Sequence, residues 1–254
     1  GDSAALNAML DAAIDNRADL ILLTSTTGLQ AAARKIKTIP VVFGNVANPI
    51  LTGAGKSFQD HLPNITGVST MADYEGMAHA IRECMPNAKR VGTLFAPAEL
   101  NSVFNKDALA ASLKTIGVEL FALPVATPTE LSDAAMSLAA AHPDLICQTV
   151  GNMLDSASTP LAVAARKESI PLFAFLSHWA EKGGAAVAVA RDFEEAGYDM
   201  AGLAIRILNG ERPADIPFQV VSRSRLTINR TNAAQCGLIL PASLVKRADV
   251  VLEK

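Results

Sequence analysis

Asp19-Leu-Ile-Leu-Leu-Thr24 and Asp144-Leu-Ile-Cys-Gln-Thr149 decide the fold class. Each is a short, mostly aliphatic run that opens on an acid and closes on a threonine. Each is followed by a stretch of helical spacing that carries Ala-Ala-Arg-Lys, at residues 32–35 and 164–167. A second run then follows, Ile39-Pro-Val-Val-Phe43 in one case and Ile170-Pro-Leu-Phe173 in the other. The runs are continuous rather than alternating in polarity, as strands covered on both faces should be. Each Pro stands at the first residues of its run, where a missing N–H is tolerated. Any two βα units share such features, but the order strand, helix, Pro, strand recurs in detail, and two similar α/β lobes are the preferred reading.

Working outward, strands are expected at residues 19–24, 39–44, 65–69, 90–95, 118–123, 144–149, 171–176 and 185–190, then at 218–221 and 226–229. Helical stripes lie between them. Met200, Leu203, Ala204 and Ile207 form one, ended by Asn209-Gly210; Leu109, Leu113 and Ile116 form another, ended by Gly117. This alternation predicts βαβ units, parallel sheets and right-handed crossovers. Asn64-Ile-Thr-Gly-Val-Ser69 reads as a passage between lobes, and Arg212-Pro-Ala-Asp-Ile-Pro217 breaks any helix.

Half of the 254 residues are hydrophobic and 19% are charged, with a net charge of −3. That is enough apolar material for one large or two small domains, and it excludes a disordered or fibrous chain. The charge leaves no footprint for nucleic acid. The three Cys (Cys84, Cys147, Cys236) and four His (His61, His79, His142, His178) are scattered, without Cys-x-x-Cys or His-x-x-x-His spacing, so neither a metal nor a cofactor is expected. An odd Cys count argues against a disulfide framework but not against an oxidising compartment. No nucleophile elbow, P-loop or dinucleotide fingerprint occurs, so no catalytic residue is assigned and an enzyme is not expected. There is no run of about 18 apolar residues and no signal peptide. A helical pattern follows Gly1 almost at once, as in a segment of something longer.

Lys37-Thr-Ile-Pro-Val-Val-Phe43, Asn64-Ile-Thr-Gly-Val-Ser69, Pro86-Asn-Ala-Lys-Arg-Val-Gly92, Asn209-Gly-Glu-Arg-Pro-Ala-Asp-Ile-Pro217 and Cys236-Gly-Leu-Ile-Leu-Pro-Ala-Ser-Leu244 carry a resemblance. Together, and collinearly over nearly the whole chain, they resemble the solute-binding proteins of bacterial ABC importers, in the branch that includes binders of tryptophan and other aromatic amino acids. The resemblance implies the type I periplasmic-binding fold: two Rossmann-like lobes with parallel sheets, three crossovers, and a ligand in the cleft. Lobe 1 is expected over residues 1–68 and 192–219, and lobe 2 over 69–191 and 220–254. The family's lobe 1 opens on a further strand and helix that this chain lacks, which would leave exposed edges on the sheet. The implied partners are a small carboxylate ligand and the importer's membrane subunits. The implied location is periplasmic or lipid-anchored outside the cytoplasm.

In open α/β sheets a ligand binds outside the carboxyl ends of the strands, which selects the loops. Ser25, Thr26 and Thr27 precede a helix, where hydroxyls and free N–H groups make an anion site worth ~0.3–2 kcal/mol from the dipole alone; equally, Ser25 or Thr26 is an N-cap. In the family, the position of Thr26 lies in the ligand pocket. Phe43, Gly44, Asn45 and Val46 follow, with Gly44 allowing close backbone approach and Asn45 offering donors and an acceptor; a turn ahead of Pro49 is the other reading, above all for Asn48. In lobe 2, Ala96 leads to Asn101 and Ser102, which match a family loop ending in Asn-Ser, or simply cap a helix. Gly151, Asn152 and Phe175 complete that side. Phe43, Phe95, Phe175 and Trp179 either sandwich a ring or belong to the core. Arg191 and Asp192 offer a carboxylate clamp and an ammonium acceptor, or pair with each other.

Two departures from the resemblance bear on the ligand. Family members often carry an acid where this chain has Gly151, and an acid or polar group near Leu176. That leaves Asp192 as the acceptor placed for a buried ammonium, so an aromatic or apolar carboxylate without an amine competes with an amino acid. A ligand-sensing domain of a receptor or transcriptional regulator is the alternative, because the same fold serves those roles.

Overall fold

The computed structural model describes residues 3–253. In chain order they form α1 (Ser3–Asp15), β1 (Ile21–Leu23), α2 (Thr26–Lys35), β2 (Val41–Val46), β3 (Ile65–Ser69), α3 (Tyr74–Cys84) and β4 (Arg90–Phe95). Next come α4 (Leu100–Thr115), β5 (Glu119–Pro124), α5 (Leu131–Ala140), β6 (Leu145–Gln148), α6 (Ser158–Lys167), β7 (Leu172–Ala174) and α7 (Ser177–Glu181). The chain continues through β8 (Val187–Arg191), α8 (Phe193–Leu208), β9 (Gln219–Val220), β10 (Ser224–Asn229), α9 (Arg230–Gln235), α10 (Ala242–Arg247) and β11 (Val250–Leu252). It divides into two compact units. Unit 1 runs to Met71 and takes in Arg191–Arg223; unit 2 comprises Ala72–Ala190 and the residues from Ser224 onward.

Unit 1 is a parallel sheet in the order β1-β2-β3-β9. The alternation of side chains along β2 splits its core in two. Val41, Phe43 and Val46 join Leu29 and Ala32 of α2, while Val42 joins Val68 and the α8 residues Met200, Leu203 and Ile207. The stripe read from the sequence is the buried face of α8, and Gly210, at φ +100°, follows its end. Gly44 has a different use from the close ligand approach expected of it. A Cβ there would lie 2.0 Å from the Met200 sulfur, so its bare backbone admits α8 against the sheet. β1 is an outer strand, and its Leu22 is 55% exposed.

Unit 2 is a seven-stranded sheet in the order β11-β10-β8-β7-β6-β4-β5. Pairing is parallel from β8 through β5 and between β10 and β11. Helices α5 and α6 pack on each other, and α4 packs on β4 and β5. Leu138, Ile146, Leu161 and Trp179 share one buried cluster. Leu109 and Leu113 are fully buried on α4, and Gly117 follows at φ +69°. The internal echo is structural: β1-α2-β2 in unit 1 and β6-α6-β7 in unit 2 are both parallel βαβ units. Their helices both end on Arg-Lys, placing cations at the negative end of the helix dipole.

Candidate functional site

Unit 1 brings its polar loops to the carboxyl ends of β1 and β2. Ser25 is the N-cap of α2, extended at φ −151° and ψ 151°, and Gly28 N–H donates to its hydroxyl over 3.0 Å. The capping reading therefore holds for Ser25, whose hydroxyl also meets that of Thr27 at 3.5 Å. The N–H groups of Thr26 and Thr27 lie in the first turn and have no partner in the helix ladder. Thr26 is half-buried and Thr27 exposed.

The end of β2 holds a feature that periodicity could not reveal. Between Phe43↔Gly67 and Val46↔Ser69, β2 uses one residue more than β3. Asn45 sits within this bulge at φ +53°, exposed, in the left-handed region that Asn tolerates better than most side chains. The extra residue keeps Phe43 and Val46 on one face, and both are fully buried. Phe43 meets Phe218 edge-on at 4.9 Å. Asn48 makes the expected turn, its side-chain oxygen accepting from Ile50 N–H at 3.0 Å.

Arg191 and Asp192 open the second segment of unit 1. Arg191 donates from Nε to the Met71 carbonyl at 2.7 Å, tying together two places where the chain passes between units. Asp192 is the N-cap of α8 and accepts from Glu194 and Glu195 N–H at 3.1 and 3.3 Å. It is buried, with a relative exposure of 7%.

In unit 2 the loops follow β4, β6 and β7. Ser102 is buried, and its hydroxyl accepts from Ala96 N–H at 2.9 Å, fixing the turn from β4 into α4. Asn101, beside it, is half-buried. Gly151 is buried and Asn152 exposed. Phe175 is buried against Tyr74, with ring centroids 5.2 Å apart. Beneath the loop, Tyr74 donates its hydroxyl to Asn105, and Asn105 donates to the Val150 carbonyl at 2.8 Å. Of the aromatic residues considered, Phe43, Phe175 and Trp179 are interior, while Phe95 is half-buried with the Lys106 ammonium 5.3 Å from its ring centre.

Two residues of this half escaped the sequence reading. Gln148 spans the gap that opens where β4–β6 pairing stops at Gly92↔Ile146. Its amide accepts from Leu94 N–H at 3.2 Å and donates to the carbonyls of Leu94 and Thr149 at 3.1 and 3.0 Å. The signal was present as a lone amide closing an apolar run. Glu99 is the second. It is the N-cap residue of α4 yet makes no cap with its side chain; instead its carboxylate accepts from Asn152 and Met153 N–H at 2.8 and 2.9 Å. Asp192 is therefore not the sole carboxylate near the predicted contacts, a correction to the sequence reading. Only its place two residues before Asn101 hinted at it.

Two α/β units with parallel sheets, traversed by a chain that passes between them three times, constitute the fold of the type I periplasmic-binding proteins. The chain belongs to the family of ABC transporter substrate binding proteins, which it matches over residues 1–252. It is a family of binding proteins, not of enzymes. A tyrosine-binding protein of Clostridioides difficile is 27% identical over 216 residues; the match covers 85% of this chain and 62% of that protein. A conserved domain protein from Vibrio cholerae superposes with a TM-score of 0.85 at 27% identity, covering 99% of this chain and 84% of the other. An ABC domain from Streptococcus pneumoniae solved with L-Trp superposes with the same TM-score at 24% identity, covering 99% and 87%.

Proposed function

We propose that this chain is the extracytoplasmic binding protein of an ABC importer, periplasmic or lipid-anchored, and that it binds a small carboxylate. The ligand is an aromatic or hydrophobic amino acid, or an aromatic acid. Unit 1 and unit 2 act as two lobes that each grip it, and the ligand stabilises a closed form that the membrane subunits recognise. The observation that carries this reading is the start of α2. Ser25 satisfies Gly28 and also meets the Thr27 hydroxyl at 3.5 Å, while the first-turn N–H groups of Thr26 and Thr27 and the Thr26 hydroxyl remain for an anion. Asn45, turned out by the bulge, adds a second polar group at the neighbouring strand end.

The tyrosine-binding and L-Trp-bound relatives favour an aromatic amino acid. A sensing domain of a receptor or regulator would rest on the fold alone. A micromolar ligand needs about −8 kcal/mol, within reach of one anion clamp and one enclosed ring. Calorimetric titration with L-Tyr, L-Trp, L-Phe and their des-amino acids should give at least one saturable isotherm. Thr26→Ala should weaken that ligand about tenfold or more and leave the thermal midpoint unchanged. No response to the panel while a sugar or branched-chain amino acid binds would overturn the ligand class. Parental affinity in Thr26→Ala would overturn the part given to the Thr26 hydroxyl.

A further inference from the structure

We infer that Glu99 is the residue with which unit 2 recognises a ligand's ammonium group, making this chain selective for amino acids over the matching des-amino acids. The inference rests on the amino-acid reading above and deepens it.

Three observations carry it. The Glu99 carboxylate is held firmly but not neutralised: it accepts from two backbone N–H groups, of Asn152 and Met153, and among the described residues no Lys, Arg or His nitrogen lies within ion-pair distance of it. Each carboxylate oxygen has room for a further donor after one such bond. Second, the group is turned away from its own helix. An acid at an N-cap ordinarily caps the helix it begins, but the cap of α4 carries no side-chain bond. The chain instead delivers the charge to the loop that follows β6, among Asn101, Gly151 and Asn152. Third, Gly151 keeps the space beside the carboxylate clear. A Cβ on residue 151 would lie 3.4 Å from Glu99 Oε2 and 3.2 Å from Ser102 Oγ, so a side chain there would occupy the approach to both.

A half-buried carboxylate without a cation attracts one and repels a second carboxylate. A zwitterionic amino acid satisfies both demands when it turns its ammonium, and not its carboxylate, towards Glu99. A des-amino acid brings the carboxylate without the cation and leaves Glu99 uncompensated.

The test titrates wild type and Glu99→Gln with two pairs of probes: L-tyrosine against 3-(4-hydroxyphenyl)propanoate, and L-tryptophan against indole-3-propanoate. The quantity read is the affinity ratio within each pair, because any loss of folded protein cancels in it. Wild type should prefer the amino acid of at least one pair by about tenfold or more. Glu99→Gln should reduce that preference to near one, chiefly by weakening the amino acid, and Glu99→Asp should keep part of it. An unchanged ratio in Glu99→Gln would make Glu99 a loop staple and overturn the inference while leaving the binding function intact. If no probe of either pair binds wild type, this inference and the aromatic reading both fall.

Discussion

Gln148→Met exposes how the floor of the unit 2 loops is built. The substitution keeps the length of the side chain but removes one acceptor and two donated bonds. Gln148 is 2% exposed and Leu94 fully buried, so water does not replace what is lost. The N–H of Leu94 and the carbonyl of Thr149 then lose that partner, while the Leu94 carbonyl keeps a bond from the Thr93 hydroxyl at 3.3 Å, and a buried group without a partner costs ~1–3 kcal/mol. Two such groups put the expected loss at roughly 2–6 kcal/mol. With a urea slope of about 3 kcal/mol/M, the unfolding midpoint should fall by about 0.7–2 M. The assay is intrinsic: Trp179 is the single tryptophan, 1% exposed in the unit 2 core, so its fluorescence reports this unit. Gln148→Glu should be no better, because an ionised carboxylate donates to neither carbonyl and is itself buried. A midpoint shift below about 0.3 M in Gln148→Met would refute the bridging role.

Ser25→Ala should cost ~1 kcal/mol in urea unfolding followed by circular dichroism, and Ser25→Asp should restore it; equal midpoints for all three chains would deny the cap. Gly44→Val should lower stability by ~1–3 kcal/mol through crowding of Met200. Pairing it with Met200→Ala should cost less than the sum of the two single changes in thermal melts, and strict additivity would contradict the contact. The thiols give a pH prediction. Burial pushes Cys84 up to about 12, helped by the Glu83 carboxylate, and burial also raises Cys147 and Cys236. At pH 8 all three should react slowly with an aromatic disulfide reagent until urea is added. The stability that these neutral thiols contribute is complete below the ordinary thiol value of 9.0 and is lost as pH rises above it towards the raised values. Rapid native labelling of Cys147 would oppose this.

The parallel α/β character was legible because strands buried on both faces and the helices covering them leave strong periodic signals. Residues 65–69 and 90–95 are strands over the very spans read from the sequence, and the four-residue stripe on α8 is its buried face. Strand ends were less legible. β1 and β7 are each three residues long, because pairing with a neighbour, not the length of the apolar run, sets where a strand stops. β11 and α10 were not anticipated; β11 is three residues held by pairing with β10. Among the site residues, the loops followed from strand polarity alone, whereas side-chain destinations did not. Ser25 and Ser102 are both hydroxyls at helix starts, yet one is exposed and the other buried. The bulge at Asn45 and the sideways reach of Glu99 depend on register and on a neighbouring loop, and neither leaves a periodic trace.

The proposed contacts to a small carboxylate ligand lie at the carboxyl ends of the strands, at the start of α2 in unit 1 and at the start of α4 in unit 2. A crystal structure with L-tyrosine or L-tryptophan bound tests them most directly. The account predicts a ligand carboxylate within hydrogen-bond distance of Thr26 or Thr27 N–H, and the other groups of the same ligand against Asn101, Asn152 or Glu99. Ligand found instead in the roughly 540 Å³ groove lined by Arg230, Ala233, Leu238 and Val245, with the start of α2 unoccupied, would contradict it.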